Sequence, residues 1–268
     1  MTIQPSLFLS HGAPDLAIHD AAARTFLVEL GRRLEKPDAI VIASAHHEAP
    51  GVAVRAPELF STRHDFGNFE PRLFEMRYEP AGAPDLGNEV VRLLGEVGLA
   101  PSRDASNLID HGAWVPLSLV FPDADVPVVT VSIDPRRDSR WHERVGRALA
   151  PLRQRNVLLI GSGSISHNLR AVFGARPGEN RLWVEQFTSW LEEAVRTGDR
   201  ERLLSAMEQA PGADRNHPTD EHLLPLFFAA GAGGEGAAGV RLHHSYTYEV
   251  LAMDVYAFGE PEAVARLS

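Results

Sequence analysis

Residues 157–167 read VLLIGSGSISH, and this stretch indicates the fold most directly. Its first four residues are apolar without alternation, which is typical of a short strand buried on both faces of a parallel sheet. A glycine-serine turn follows, and His167 ends the stretch. Because the ligands of such sheets gather beyond the carboxyl ends of the strands, we expect the turn and the histidine to lie near a binding site.

Similar apolar, β-branched runs occur at residues 6–9, 39–44 and 126–133, and each predicts a strand. Helical spacing of apolar residues occurs between or after them, in segments 21–34, 86–97, 142–152, 181–196 and 200–209. Residues 247–258 are predicted to add a closing strand. This alternation predicts an α/β fold, with one domain over residues 1–268 and a central, mostly parallel sheet flanked by helices on both faces.

Two segments lack a clear period. Residues 49–78 are rich in Pro, Gly, Arg and aromatic residues, and we expect a long loop there that covers a site. Residues 229–239 form a Gly/Ala stretch of low complexity, which predicts a flexible connector. The residues beyond it, 240–258, are too few for a core of their own, so the connector is not expected to separate two domains.

The composition limits the classes of function. The chain has 268 residues, 44% of them apolar, and a formal net charge of −10. This charge leaves no broad basic face, so neither nucleic acid nor an anionic membrane is expected as a partner. The sequence shows neither an apolar run of roughly 20 residues nor a signal peptide, which predicts a soluble, cytoplasmic protein. Because there is no cysteine, any metal site must use histidine and carboxylate ligands.

Histidine is the residue type that points to chemistry here. Five of the twelve histidines lie in short polar turns next to apolar runs: His11, His46, His111, His167 and His222. Neutral imidazole is a common ligand of transition metals and exchanges protons near neutral pH. Since three of the five follow predicted strands, we expect distant histidines to converge at one edge of the sheet. A metal-dependent enzyme is the leading hypothesis.

Each histidine also has a simpler interpretation as a structural or exposed side chain. Neighbouring side chains on an extended chain point to opposite sides, so only one of His46 and His47 is expected at a site. His222 opens an apolar helical segment, residues 223–229, and a helix start explains it as well as metal binding does. Asp110 could fix the tautomer of His111. The other histidines are given structural or surface positions: His19, His64, His142, His217, His243 and His244.

The glycine-serine turn allows two further hypotheses. Gly161 and Gly163 could let a backbone approach a phosphate, but the Walker lysine and the third glycine of a dinucleotide fingerprint are missing. Ser162 could be a nucleophile, but Ile160 stands where the first glycine of a Gly-x-Ser-x-Gly motif belongs. A nucleotide site and a serine hydrolase are both disfavoured.

Together, the histidine stretches resemble those of the class III extradiol ring-cleavage dioxygenases, in particular the small single-domain 4,5-DOPA dioxygenase branch. The matching stretches are SHGAP at residues 10–14, SAH at 44–46, DHGAW at 110–114, GSGSISHNL at 161–169 and EHLLPL at 221–226. They occur in the family's order and span nearly the whole chain. Each stretch is weak alone, whereas five in order are highly specific.

The resemblance implies one divalent metal ion, Fe(II) or Zn(II), held by His11, His46 and His222, with Glu221 as the alternative third ligand. It implies that His167 is a catalytic acid/base or a fourth ligand, and that the second catalytic histidine, His111, touches the substrate. It also implies a small catechol-type diol, DOPA-like or related, as substrate and O2 as co-substrate. A zinc-dependent hydrolase and a catalytically inactive metal-binding relative remain alternatives, and a homo-oligomer is allowed.

One segment departs from the family pattern. Relatives have an Asp-Phe-x-Gly-Phe-Pro segment followed by a tyrosine, whereas this chain has DFGNFEP at residues 65–71 and Tyr78 downstream. The extra residue, Glu70, reshapes a loop that is expected to line the pocket, so the substrate stays open even if the reaction does not. Arg63 or Arg77 could bind a substrate carboxylate.

Overall fold

The computed structural model describes residues 3–174, 181–234, 236 and 238–267. The strands in this part of the chain are β1 (Ser6–Ser10), β2 (Ala39–Glu48), β3 (Ala53–Arg55), β4 (Ser61–Thr62), β5 (Ser102–Arg103), β6 (Leu108–Ile109), β7 (Val128–Ile133), β8 (Val157–Gly163), β9 (Gly239–His243), β10 (Tyr246–Thr247), β11 (Leu251–Ala252) and β12 (Val255–Phe258). Eight of them form one sheet in the order β5-β3-β7-β2-β8-β1-β12-β9. The four central strands, β7, β2, β8 and β1, run parallel, and β12 and β9 close one edge in antiparallel pairing.

The helices surround this sheet. They are α1 (Ala22–Arg33), α2 (Pro71–Glu75), α3 (Pro84–Glu96), α4 (His111–Val120), α5 (Ser139–Leu149), α6 (Leu169–Gly174), α7 (Leu182–Thr197), α8 (Arg200–Leu204), α9 (Ala206–Gln209), α10 (Ala213–Asn216), α11 (Leu224–Ala232) and α12 (Pro261–Ala265). Two 3₁₀ turns, Pro14–Ala17 and Ala150–Arg155, follow β1 and α5.

Alternate side chains of the central strands enter cores on opposite faces of the sheet. Leu7 and Leu9 of β1 share a core with residues of α1 and α4, whereas Phe8 between them shares one with α7 and α11. Val41 of β2 belongs to a third core with residues of α3 and α5. Helices therefore cover both faces, which confirms the predicted α/β fold with its central, mostly parallel sheet.

Gly161 and Gly163, predicted to lie in a turn after the strand, are instead the last part of β8, and they allow α11 to pack against it. A Cβ atom on Gly161 would lie 2.0 Å from the Pro225 carbonyl oxygen, and one on Gly163 would lie 2.1 Å from the His222 carbonyl oxygen. Both distances are far below a normal contact, so only glycine allows this approach. The close approach predicted from sequence is real, but the partner is the backbone that carries His222.

Several predicted elements differ from the structure in extent. β2 continues to Glu48, so His46 lies within it, and the register with β7 shifts between Ser44 and Glu48. The predicted closing strand is interrupted, because Tyr248 and Glu249 adopt left-handed φ angles of 48° and 63° between β10 and β11. The predicted helix over 200–209 breaks at Ser205 into α8 and α9.

Two irregular segments are more ordered than predicted. Residues 49–78 contain β3, β4 and α2, and β3 belongs to the central sheet. Helix α11 occupies residues up to Ala232 of the predicted connector, of which Glu235 and Ala237 lie outside the described residues. Helix α4 is not predicted from the sequence, because nine of its ten residues are buried and no apolar stripe marks it.

Candidate metal centre

Three histidines from distant parts of the chain meet at the carboxyl edge of the sheet. His11 directly follows β1, His46 lies near the end of β2, and His222 lies in the turn before α11. The Nε2 atom of His46 is 3.3 Å from Nε2 of His11 and 3.2 Å from Nε2 of His222. The sheet thus brings together the three residues that the sequence suggests as metal ligands.

The spacing of these nitrogen atoms suits a single metal ion. Imidazole nitrogens bind Zn(II) at about 2.0–2.1 Å, so two neighbouring ones on an octahedral or tetrahedral ion lie about 2.8–3.4 Å apart. Both measured separations fall within this interval. The three side chains could therefore hold a divalent ion with little rearrangement.

The second ring nitrogen of two of these histidines is held by a hydrogen bond. His11 Nδ1 is 3.0 Å from the Ser162 hydroxyl oxygen, and His222 Nδ1 is 2.9 Å from Glu221 Oε1. Because a carboxylate only accepts, His222 carries its proton on Nδ1 and presents an unprotonated Nε2 to the centre. Glu221, the alternative ligand from sequence, orients His222 in this structure.

Burial keeps the three imidazoles neutral. It lowers the pKa of His11 and His222 well below the usual value, and the neighbouring histidines lower both further. Burial and the nearby His111 lower the pKa of His46 to about 4, against an opposing effect of two aspartates. Since a histidine must be neutral to bind a metal ion, these pKa values favour metal binding at neutral pH.

His111, at the start of α4, is oriented by a distant carboxylate. Its Nδ1 is 2.9 Å from Asp65 Oδ1, and its backbone N–H donates to the same oxygen. Burial raises the pKa of Asp65, but the hydrogen bonds and charge of His111 outweigh this effect and lower the pKa to about 2. Asp65 is therefore ionised at neutral pH and holds the Nδ1 proton of His111.

Asp110, the neighbour expected to fix the tautomer of His111, has another role. Its carboxylate caps α4 by accepting from the backbone N–H of Ala113, and it also accepts from the Ser44 hydroxyl. The expectation was wrong because the side chain of an N-cap residue turns back over the first turn of its own helix.

His167 lies beside the three converging histidines. Its ring stacks on His222 with the centroids 3.4 Å apart and the planes 9° apart, and its Nδ1 is 3.9 Å from Glu221 Oε1. Burial lowers its pKa, Glu221 opposes that effect, and His111 adds to it. A partly exposed imidazole in this position could exchange a proton with a molecule bound next to it.

The histidines form one wall of a cavity of about 620 Å³. Apolar side chains of segment 66–70 and of α6, among them Phe66, Phe69 and Val172, form other walls. Asp15 and Glu70 contribute carboxylates, whereas the described residues that line the cavity include neither lysine nor arginine. The cavity has the size and the apolar lining of a small-molecule site.

The segment that departs from the family pattern lines this cavity. Asn68 adopts a left-handed φ of 62°, and Glu70, the extra residue, lies 2.8 Å from His19. The extra residue therefore lies in the wall that a substrate would meet, as the sequence predicts.

Other sequence candidates lie away from the cavity. His47 points away from the site, toward Asp104, with Nε2 3.2 Å from the carboxylate, and His64 Nε2 is 3.1 Å from the Met76 carbonyl. Tyr78 and Trp114 are buried in the core. These residues support the fold around the site.

Neither arginine suggested as a carboxylate binder lines the cavity. The Arg63 carbonyl accepts a hydrogen bond from the Trp114 indole. The Arg77 guanidinium donates to the carbonyls of Phe74 and Met76. Neither arginine is therefore placed to bind a carboxylate of a substrate in the cavity.

Two supporting contacts are not evident from the sequence. Nothing local assigns a role to Asp65, and the glycine-serine pattern around Ser162 suggests only a nucleotide site or a nucleophile. The chain separation is 46 residues between Asp65 and His111, and 151 between Ser162 and His11. No local pattern joins residues so far apart, although both lie in segments that are compared with the family pattern.

Comparison with known proteins identifies the family. Residues 5–259 match the family described as the catalytic LigB subunit of aromatic ring-opening dioxygenase. The chain belongs to this LigB family. It is 36% identical over 262 residues to the 4,5-DOPA dioxygenase extradiol of Beta vulgaris, covering 96% of this chain and 97% of that protein. It is 35% identical over 234 residues to the protein of the same name from Escherichia coli K12, covering 86% of each.

A solved structure agrees with the LigB-family fold. The uncharacterized protein JW3007 from Escherichia coli K12 superposes with a TM-score of 0.76 at 29% identity, covering 96% of this chain and 100% of that one. Both the resemblance stated from sequence and the assignment as an extradiol aromatic ring-opening dioxygenase are confirmed. None of the described helices is long and apolar enough to cross a bilayer.

Proposed function

We propose that this LigB-family protein uses one divalent metal ion to open the ring of a catechol with O2, beside rather than between the two hydroxyl groups. The observation that carries the proposal is the convergence of the Nε2 atoms of His11, His46 and His222 at one wall of the cavity. The curated relatives named 4,5-DOPA dioxygenase extradiol support the same class of reaction.

His11, His46 and His222 would hold the ion. Three neutral ligands leave coordination positions open for other molecules. When bound, Fe(II) would bring the catechol oxygens and O2 together and let electron density pass from the ring to oxygen. The same nitrogen ligands also suit Zn(II), which has no redox chemistry and would instead activate water for hydrolysis. The identity of the metal therefore separates the two candidate functions.

The remaining site residues would handle protons and orientation. His167 would take a proton from a catechol hydroxyl and return it later in the reaction, because one imidazole can serve as base and acid near neutral pH. His111 donates a hydrogen bond from Nδ1–H to Asp65. Its neutral form therefore presents Nε2 as an acceptor for a substrate hydroxyl. The apolar side chains of Phe66 and Phe69 would exclude water from the ring.

The charges at the cavity favour some catechols over others. Asp15 and Glu70 line it, and no lysine or arginine does so among the described residues. Glu70 is already paired with Arg72 and His19, each at 2.8 Å, so Asp15 provides the charge that would repel a carboxylate on the substrate and attract an ammonium group. The proposed substrate is therefore a catechol with a neutral or ammonium-bearing side chain.

Anaerobic reconstitution with Fe(II) or Zn(II) tests the function. Oxygen uptake and absorbance would be followed with dopamine, DOPA, 4-ethylcatechol, 3,4-dihydroxyphenylpropionate, protocatechuate and gallate. We expect oxygen uptake and a new yellow chromophore in the iron form alone, with the carboxylated catechols that lack an amine turning over most slowly. Metal-free protein, carried through the same steps, is the control.

The possible results are separable. No oxygen uptake with any catechol, together with tight zinc retention and hydrolysis of ester substrates, would favour the zinc hydrolase instead. Turnover with protocatechuate or gallate above dopamine would leave ring cleavage standing and reject the proposed substrate charge.

A further inference from the structure

A proline in α4 leaves one helix carbonyl without its usual partner. In an α-helix the carbonyl of residue i accepts from the N–H of residue i+4. The partner of the Gly112 carbonyl would be residue 116, which is Pro116 and has no N–H. This carbonyl lies in the first turn of the helix that carries His111, so it needs a donor from outside the helix.

Ser162 of β8 supplies that donor. Its side chain is fully buried, and its hydroxyl donates a hydrogen bond to the Gly112 carbonyl. A carbonyl can only accept, so the single proton of the hydroxyl is committed to Gly112. The lone pairs of Ser162 Oγ then face His11 Nδ1, which is 3.0 Å away.

The direction of this bond decides the tautomer of His11. With its proton donated to Gly112, Ser162 can only accept from His11, so the proton of the neutral imidazole sits on Nδ1. His11 Nε2 is then unprotonated and faces His46 Nε2 at 3.3 Å. A free serine hydroxyl could donate to His11 just as well, which would put the proton on the wrong nitrogen.

Close packing fixes the positions of the Gly112 carbonyl, the Ser162 hydroxyl and the His11 ring relative to one another. A Cβ atom on Gly112 would lie 2.5 Å from Ser44 Oγ and 2.9 Å from His46 Cδ2, so α4 approaches the site as closely as a glycine permits. The glycines on either side of Ser162 allow α11 and the turn before it to press on β8. Because side chains alternate along a strand, α11 packs on one face of β8 while the Ser162 hydroxyl faces α4 on the other.

The other two oriented histidines need no such arrangement. His222 and His111 donate Nδ1–H to the carboxylates of Glu221 and Asp65, which accept in any rotamer. A serine hydroxyl is restricted to accepting in the same way only when its O–H already donates to another group. In this chain, that group is the Gly112 carbonyl, which has no helix donor because residue 116 is proline.

We propose that Ser162 and Pro116 are positioning residues that set which nitrogen of His11 faces the metal. Pro116 leaves the Gly112 carbonyl without a helix donor, this carbonyl accepts a hydrogen bond from the Ser162 hydroxyl, and Ser162 Oγ accepts one from Nδ1–H of His11. The inference rests on the metal site of the proposed function, but the tautomer itself exists without a metal.

The first test reads the tautomer in metal-free protein. Two-bond ¹H–¹⁵N correlation spectra of histidine-labelled protein at neutral pH distinguish the Nδ1–H and Nε2–H forms. We expect His11 as the Nδ1–H form in the wild type and as a mixture in Ser162→Ala. The His11 signal is assigned by its loss in His11→Gln. A wild-type His11 in the Nε2–H form, or no change in Ser162→Ala, would overturn the proposal.

The second test measures affinity for Zn(II), and for Fe(II) under anaerobic conditions, by competition with a chelator. Removing a group that orients a ligand typically lowers metal affinity about 10- to 100-fold, and we expect this for Ser162→Ala. Ser6→Ala is the matched control, because Ser6 is also fully buried and donates to a backbone carbonyl, at 3.3 Å from Leu159 O. Circular dichroism shows whether each variant is folded.

This test separates the two proposals. A wild type that binds neither metal would refute the site itself. A wild type that binds metal and a folded Ser162→Ala with equal affinity would refute only the positioning role.

The third test asks whether Pro116 acts through Ser162. Pro116→Ala restores an N–H that can bond the Gly112 carbonyl and release the Ser162 proton. We expect weaker metal binding in Pro116→Ala, and no further loss when it is added to Ser162→Ala. Independent, additive losses would show that the proline acts by another route.

Discussion

Buried histidines occur in two regions of this molecule, and burial alone does not tell them apart. His11 and His222 lie at the carboxyl edge of the sheet, whereas His142 and His217 lie in or beside helices away from the cavity. Burial lowers the pKa of all four. The depressed pKa therefore reports desolvation and does not mark function by itself.

The partners of the ring nitrogens make the difference. His142 Nδ1 donates to the Asp138 carbonyl, and its Nε2 accepts from the backbone N–H of Asp134. His217 Nε2 donates to the Ile165 carbonyl. These rings fasten backbone segments. At the sheet edge, by contrast, the Nε2 atoms face one another, an arrangement of acceptors that a cation would stabilise.

The largest effect should come from removing one member of the facing set. His46→Ala should reduce oxygen-dependent turnover of a catechol to background and lower the iron content, because two imidazoles remain for the ion. His142 has the same lowered pKa of about 4 as His46, but the folded His142→Ala protein should keep its metal and its turnover. Metal analysis and an oxygen electrode measure both. Equal metal loss in the two variants would mean that the two groups of buried histidines do not differ in function.

A smaller effect should follow from changing His167, which touches the facing set by stacking alone. If it transfers protons, His167→Ala should lower kcat about 10²- to 10⁴-fold while the metal is retained. Steady-state oxygen uptake with metal content measured on the same sample gives the answer. Full turnover in a metal-loaded His167→Ala protein would remove the residue from the acid/base role.

The sequence predicts the elements that carry the site better than the contacts within it. The central strands are evident because short, unalternating apolar runs bounded by turn residues are typical of strands buried on both faces, and the rule for ligand sites at strand ends then places His11 and His46 together. Helix α4 escapes prediction because it is buried on all sides and contains Pro116, so neither its pattern nor its composition indicates a helix.

The hydrogen bonds at the Nδ1 atoms of these histidines depend on side-chain direction, which the sequence does not encode locally. Asp110 and Asp65 are both available to His111, and the nearer one in sequence is used for the helix cap. Glu221 is a candidate ligand in the sequence because it adjoins His222, and only the folded structure places its carboxylate on Nδ1. Folding, rather than sequence neighbourhood, pairs these groups.

Glu221 tests the difference between a metal ligand and a residue that only orients a ligand. If it orients His222, Glu221→Gln should weaken metal binding about 10- to 100-fold, and saturating metal should restore much of the turnover. Titration with Fe(II) under anaerobic conditions measures the affinity, with Glu185→Gln on the surface of α7 as control. Loss as complete as in His46→Ala would make Glu221 a ligand and His222 the support.

The smallest effect concerns stability and belongs to the histidines that bind no metal. His142 has a folded-state pKa of about 4, below the value of 6.5 expected when it is unfolded, so the unfolded chain takes up the proton more readily. Its contribution is constant well above pH 6.5 and is lost as the pH falls from there toward 4. At pH 5.5 the loss amounts to roughly 1 kcal/mol relative to pH 8.

Urea unfolding of wild type and His142→Asn between pH 5 and 8 isolates this contribution, because the histidines at the sheet edge are present in both proteins. Asparagine can still donate toward the Asp138 carbonyl but does not titrate. The free energy of unfolding of His142→Asn should therefore fall less steeply below pH 6.5, with a difference of roughly 1 kcal/mol at pH 5.5. Parallel curves would mean that His142 has the same pKa in the folded and unfolded protein, and that burial outside the metal centre does not lower it.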